Sequence, residues 1–466
     1  MTPYSIGFSS QLNEYIIPET EIEGTLPSWL SGTLIRTAPA RFEVGDNSYN
    51  HWFDGLCMLH KFSFQGDTVS YANKFLDSGT YRANMQKGRI VYGEFGTDPC
   101  RDLFQKATTF VMGFPVTDNA GVNVGEIGGE LVSVTETPIP VKIDPETLEA
   151  EGQFKYEDKL GGQITPPHPH YSEDGTLFSF VTELGPTSYY HVYRQEKNSA
   201  ERKVIASIKV KEPSYMHSLG MTENYVIVTA FPLVTQALKF RFTLKAFIEK
   251  YTWEPDRETI IYLIDKHTGE VKTYATEAFF AFHHVNAFEE DGKVIFDLLA
   301  YKNAQVIYDL YLEKLRSGDL EIVAGHLWRF ELELSKGSVT RKVISESWME
   351  LPQINYGRVN GKPYQFMYSA GSTTPSAFLD VIHKADVTTG QVWTWIEEGC
   401  HPAEPIFIEK PGATAEDEGV LLSIVLDTRR QCSFLLVLDA QTLEEKARAR
   451  VPHPINFGFH GTFLPN

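Results

Sequence analysis

The chain has 466 residues, 42% apolar and 13% aromatic, several times the ~100–150 residues of a common domain and ample for a large core. Charged residues make up 22% without long runs of one sign, which argues against extended disorder. Lys and Arg number 42 against 61 Asp and Glu, and the net charge of -19 opposes nucleic acid phosphates, so no nucleic-acid partner is expected.

Cys57, Cys100, Cys400 and Cys432 are far apart and form no C-x-x-C, so neither a zinc knuckle nor a disulfide framework is expected and a reducing compartment fits. The first basic residue is Arg36, and no secretory leader is expected. The longest apolar runs, 225–231 and 421–426, fall far short of the ~18–20 residues of a bilayer span. A cytoplasmic location, at most peripheral to a membrane, follows as the expectation.

In chain order, GDTVSYANKF (66–75), DGTLFSFVTEL (174–184), ENYVIVTAF (223–231), DGKVIFDLLAY (291–301), GVLLSIVLD (419–427) and CSFLLVLD (432–439) are short apolar strands bounded by turn residues, the pattern of antiparallel hairpins in an all-β protein. A turn of the form Asp-x-x-Thr-Gly/Leu recurs at Asp144, Asp265, Asp386 and Asp439. Such turns suit the outer hairpins of a β-propeller, whose blades are four-stranded. The chain has more residues than such blades need, so long connections are expected to cap one face. One stretch departs from the strand pattern: 231–253 places Phe240, Leu244, Phe247, Ile248 and Tyr251 at helical spacing among Lys239, Arg241, Lys245 and Lys250. It predicts either an apolar, cation-flanked patch that enters an anionic membrane surface or a helix packed on the propeller.

Three histidines share a setting. His170, His217 and His283 each precede an acidic or Asn turn that leads into a strongly apolar strand. Equivalent innermost positions in different blades form a ring around a propeller axis, and converging imidazoles without Cys suit a borderline transition metal. His460, on an aromatic-rich terminal strand, is a candidate fourth ligand. His283 and His284 are adjacent and point to opposite faces of a strand, whereas His168 and His170 share a face and the pattern does not choose between them. Glu136, Glu350 and Glu404 lie among apolar or turn-forming neighbours, where a carboxylate can accept the second ring N–H of a metal-bound imidazole. No nucleotide cofactor is expected: there is no G-x-G-x-x-G after a strand, and GRVNGKP (357–363) falls short of a P-loop.

Together, GTLPSWLSGTLIRTAPARFEVG (24–45), HWFDGLCMLHKF (51–62), DPCRDLF (98–104), VTDNAGVNV (116–124), the three His segments, ELPQINYGRVNGKPY (350–364), PAEPIF (402–407), EDEGVLLSIVLD (416–427) and FHGTF (459–463) resemble the carotenoid cleavage oxygenase family. The likeness is to the branch of animal carotenoid oxygenases and retinoid isomerases, and it covers nearly the whole of 1–466. It implies a seven-bladed β-propeller with an axial metal site under a cap of long loops and short helices. It further implies His170, His217, His283 and His460 as Fe(II) ligands, with His168 and His284 excluded, and Glu136, Glu350 and Glu404 as the carboxylates that orient three of them. Val122 falls where the family commonly has Thr beside the open iron site.

The activity the resemblance implies is cleavage of a carotenoid or apocarotenoid double bond with O2 to give two aldehydes, at the central 15,15' bond to give retinal. It also strengthens the membrane reading of Phe240, Leu244, Phe247 and Ile248. The alternatives are eccentric apocarotenoid or stilbene cleavage, a retinyl ester isomerohydrolase and a carotenoid-binding propeller without catalysis. Glu130 stands where stilbene-cleaving relatives carry Lys. A calcium-dependent lactonase propeller needs oxygen ligands, and here the recurrent element is His.

Overall fold

The computed structural model describes residues 2–99, 116–318 and 320–466. Cys100, most of the DPCRDLF segment and the side chains of Lys239 and Arg241 lie outside the described residues. Cys57, Cys400 and Cys432 are free thiols. No helix among the described residues is long and apolar enough to cross a membrane.

The apolar runs bounded by Gly and Asp form strands that pair with their sequence neighbours. At the Asp291-Gly292 turn both residues have positive φ, 50° and 74°, the conformation that a tight two-residue hairpin requires. Seven antiparallel sheets of four to six strands result, and they are the seven blades of a propeller. Blade 2 runs from Asn123–Ile127 to Ala150–Gln153, blade 3 from His170–Tyr171 to Arg202–Val210, and blade 4 from Gly220–Met221 to Val271–Thr276. Blade 5 runs from Phe280–Glu290 to Ser338–Ser345 and blade 6 from Trp348–Gln353 to Val392–Ile396.

The two ends of the chain close the ring. In blade 1 the terminal strand Gly461–Pro465 pairs with Gly32–Arg41, and in blade 7 the early strand Glu21–Gly24 pairs with Glu445–Val451. Closure removes the exposed strand edges that an open sheet would leave at the ring's ends.

The recurrent Asp turns join the third and fourth strands of blades 2, 4, 6 and 7. In each, the Asp Oδ1 accepts the backbone N–H groups two and three residues on. The fifth residue closes the turn onto the Asp carbonyl with a left-handed backbone: Leu148, Gly269, Gly390 and Leu443, at φ 59°, 73°, 78° and 60°. In blades 4 and 6 that residue is Gly for a second reason. A Cβ on Gly269 would lie 2.3 Å from the Ile205 carbonyl oxygen, and one on Gly390 2.6 Å from that of Ile344, each in the outer strand of the preceding blade.

The connections between second and third strands emerge on the opposite face and form the cap. Those of blades 1, 4, 5 and 6 carry the turn Trp52–Asp54, the helix Ala237–Phe242, the helices Gln305–Asp309 and Leu312–Ser317, and Phe378. The largest hydrophobic cluster fills the space between this cap and blades 3 to 5.

The segment 231–253 is not one amphipathic helix. It is a short strand, the Ala237–Phe242 helix, a single turn at Ile248–Lys250 and a second short strand at Thr252–Trp253. Ile248 is fully buried, Phe240 packs edge-on against Phe247 and Tyr251, and Phe247 lies tilted against Tyr251. Among the described side chains of this segment, the exposed large apolar ones are Leu238 and Leu244, 70% and 38% accessible. The aromatic residues at helical spacing serve cap packing, because a helix this short gains more from the propeller surface than from its own hydrogen bonds.

Ala in place of Gly269 or Gly390 is expected to cost ~1–3 kcal/mol each through the left-handed backbone and the carbonyl clash. Chemical denaturation of each variant measures it; a wild-type midpoint would mean that these turns move freely away from the neighbouring blade.

Candidate metal centre

Four imidazoles meet on the axis beneath the cap: His168, His217, His283 and His460, whose ligand atoms all lie within 4.8 Å of one another. His168 and His217 stand just ahead of the inner strands of blades 3 and 4, His283 within that of blade 5, and His460 just ahead of that of blade 1. His460 is further tied by its backbone, its N–H donating to the Val122 carbonyl at 3.1 Å and its carbonyl accepting from Thr37 at 3.0 Å.

The blade 3 ligand expected from the resemblance is corrected by this geometry. His168, not His170, joins the cluster. The face rule that paired these residues holds for extended strand, but Pro166, Pro167 and Pro169 surround His168 and supply no N–H for a ladder, so the strand starts only at His170. The His170 ring turns away, with Nε2 3.0 Å from the Leu219 carbonyl oxygen and Nδ1 3.1 Å from the Tyr356 hydroxyl. His284 also stays outside: it lies at a register shift of its strand and bonds Ser218 and Thr229.

Blades 2, 6 and 7 contribute the carboxylates. Glu136 Oε1 accepts from His217 Nδ1 at 2.7 Å, Glu350 Oε2 from His283 Nδ1 at 2.6 Å, and Glu404 Oε1 from His460 Nδ1 at 2.6 Å. Each carboxylate is held in turn. Tyr215 donates to Glu136 at 2.6 Å and Tyr301 to Glu350 at 2.7 Å. Leu351, with φ 56°, turns its N–H back onto Glu350 at 2.8 Å. Glu404 takes Gln353 at 2.9 Å and Arg36 at 2.5 Å. These supporting residues were not singled out in the sequence. Arg36 alone carried a signal, a cation inside the otherwise apolar strand GTLIRTAPA, where a buried charge needs a partner. No carboxylate faces His168 among the described residues.

The electrostatics follow from burial. The Glu404 carboxyl is pushed up by desolvation, but His460 and Arg36 outweigh that and hold it below the usual carboxylate range; His283 does the same for Glu350. Burial pushes the His460 imidazole down to about 4 against the pull of Glu404, and drives His168 well down with help from the neighbouring rings. Burial thus favours the neutral ring at His168, His217 and His460, and Nδ1 carries a proton wherever a carboxylate accepts.

This tautomer leaves an unmet demand. In the pair His283 and His460 both Nδ1–H groups are committed to carboxylates, and the two Nε2 atoms face each other at 3.1 Å, where a pair of neutral rings has no hydrogen to share. His168 and His217 Nε2 lie 3.2 Å apart at the same centre. Three carboxylates also stand against one guanidinium around the four rings. A divalent cation meets both demands, and an all-imidazole donor set suits a borderline transition metal.

Above the centre a cavity opens under the cap. Beyond His217, His283, His460 and Glu350 its walls are almost wholly apolar, with Phe53, Phe282 and Val122 near the rings and Trp348, Leu351 and Phe378 farther out. The Tyr301 hydroxyl in this wall is committed to Glu350, and the Trp52 indole N–H to the Phe457 carbonyl.

Gln in place of Glu404 keeps the shape but replaces the anion that holds His460 and pairs Arg36. Metal affinity is expected to fall ~10–100-fold, measured by competition against a chelator, and wild-type affinity would remove this role. The same substitution at Glu136 or Glu350 is expected to act in the same direction.

The comparisons agree with this architecture. The family model described as retinal pigment epithelial membrane protein matches residues 8–465. Similar curated proteins include the mitochondrial carotenoid-cleaving dioxygenase of Macaca fascicularis, 36% identical over 95% of this chain and 91% of that one. Another is the beta,beta-carotene 15,15'-dioxygenase of Mus musculus, 35% identical over 98% and 91%. Among solved structures, a Glu-to-Gln mutant of the Synechocystis apocarotenoid oxygenase superimposes with a TM-score of 0.89 at 26% identity, covering 100% of this chain and 99% of that one. The cobalt-substituted form of that protein gives 0.88 at 28% identity, covering 100% and 98%. The chain belongs to the family of the retinal pigment epithelial membrane protein and the carotenoid oxygenases.

Proposed function

We propose that this protein is an Fe(II)-dependent dioxygenase that splits one double bond of a carotenoid or apocarotenoid with O2 into two aldehydes. The observation that carries the reading is the set of four imidazoles whose ligand atoms lie within 4.8 Å of one another, three of them locked by carboxylates, at the floor of an apolar cavity. His168, His217, His283 and His460 would hold ferrous iron, which would supply a centre for activating dioxygen. Glu136, Glu350 and Glu404 orient the rings so that Nε2 faces the centre.

The apolar walls suit a rod-like polyene, and Phe53, Phe282 and Val122 keep water from the floor where the double bond rests. No step needs an acid or base from the protein. The alkene and one O2 contain all the atoms of two carbonyl products, and the alkene supplies the electrons, so no organic cosubstrate is required. The position of cleavage is then set by how far the polyene slides before the walls stop it, and the names of similar proteins favour the central 15,15' bond and retinal.

Iron-loaded protein given a panel of carotenoids and apocarotenoids under isotope-labelled O2 is expected to yield aldehyde pairs that carry label on both carbonyls at early times. Removal of the metal should abolish turnover. Conversion of a retinyl ester without O2 uptake, or pigment binding by metal-free protein with no products, would overturn the reading in favour of an isomerohydrolase or a carrier.

An apolar substrate reaches the cavity from a lipid phase, and the exposed pair Leu238 and Leu244, with Lys245 beside it, is the part of 231–253 that we assign to lipid contact in place of the buried Ile248. Changing both Leu238 and Leu244 to Asp is expected to weaken co-sedimentation with anionic vesicles severalfold while leaving the melting temperature near the wild-type value. Unchanged sedimentation would place lipid contact elsewhere.

A further inference from the structure

His168 is the one imidazole of the centre with no carboxylate behind it among the described residues, yet its Nε2 lies 3.2 Å from that of His217. Something else must fix the separation of these two rings. Two residues beyond His168 stands His170, and two residues beyond His217 stands Leu219. His170 Nε2 is 3.0 Å from the Leu219 carbonyl oxygen. Both ligand-bearing segments are thus joined by a rung at the same offset from the centre.

The chemistry of that rung has one solution. A carbonyl only accepts, so His170 Nε2 carries the hydrogen. His170 Nδ1 then accepts from the Tyr356 hydroxyl at 3.1 Å, whose oxygen takes the Tyr171 N–H at 3.0 Å. With Nε2 donating to a carbonyl and Nδ1 accepting from a hydroxyl, the ring has no lone pair to offer a metal. On the other side of His168, Asn123 of blade 2 donates to the Pro167 carbonyl at 3.1 Å, and Pro167 and Pro169 restrict the backbone between. The His168 ring therefore hangs from a stiff segment pinned at both ends.

We propose that His170 is a positioning residue of the metal centre: its Nε2–H bond to the Leu219 carbonyl sets the spacing of His168 and His217 in the way that the carboxylates set the other rings. The proposal rests on the reading of the four imidazoles as a metal site. The donor atom, and not the bulk of the ring, is what it requires.

Two polar replacements separate these roles. Gln at 170 places an amide N–H at the reach of Nε2 and can donate to Leu219, whereas Asn places one only at the reach of Nδ1. Full-length wild type, His170→Gln and His170→Asn are loaded with Co(II), titrated with a competing chelator, and compared by visible absorption. The expected result is Gln within about threefold of wild type and Asn weaker by tenfold or more, the scale of an outer partner of a ligand, with altered ligand-field bands in Asn alone. Equal affinity in both variants, whether retained or lost, overturns the brace, as does a weaker Gln than Asn. If the Asn variant does not fold, nitrogen-15 spectra of the histidines in wild-type protein decide instead: His170 protonated on Nε2 is required, and a proton on Nδ1 overturns the proposal. Wild-type protein that takes up no stoichiometric metal would sink the metal reading itself, a different failure from equal variants.

Discussion

Four imidazole lone pairs do not share a few ångströms of protein interior without cause. Each carboxylate behind His217, His283 and His460 accepts the Nδ1–H and so forces Nε2 to face the axis as a bare acceptor. A divalent cation on the axis would meet these acceptors and offset the carboxylates beside them. The rest of the molecule is arranged to hold the four rings together. Seven blades closed at both chain ends fix the places from which they converge, and Tyr215, Tyr301 and Arg36 pin the carboxylates from behind.

The division of labour among blades is complete. Blades 1, 3, 4 and 5 bring an imidazole, and blades 2, 6 and 7 bring a carboxylate, each at or near the entry to the axis on the capped face. Pseudo-symmetry supplies equivalent places, and the local sequence decides what fills them. Blade 3 is the exception in its support, because its segment is proline-rich and its ligand is backed by backbone and by the His170 rung instead of an acid.

The contrast between floor and walls has chemical consequences. The floor is charged, hydrogen-bonded and rigid; the walls above it offer aromatic and aliphatic surface, with the Tyr301 hydroxyl and the Trp52 N–H already committed. In such a site electrostatic interactions are poorly screened, which favours oriented imidazoles as metal donors and leaves selection of a long apolar ligand to shape.

Much of this was legible in the residues. Alternating apolar strands and recurrent Asp turns pointed to a β-propeller, because hairpin chemistry is local and an Asp that caps its own turn does so wherever it sits. His217 and His283 stood out by a shared setting ahead of an acidic or Asn turn and an apolar strand, His460 by its aromatic-rich terminal strand, and the glutamates that face them by apolar or turn-forming neighbours. The choice between His168 and His170 was not legible, since both share a motif and differ only in which side of a strand start they fall. The aromatic residues of 231–253 matched a surface helix equally well as a packed cap, because periodicity records a face and not what covers it. Local sequence determined the turns, the strands and the kinds of group available; the closing of seven blades into a ring decided which of those groups meet, because convergence depends on distances between segments hundreds of residues apart that no short-range pattern encodes.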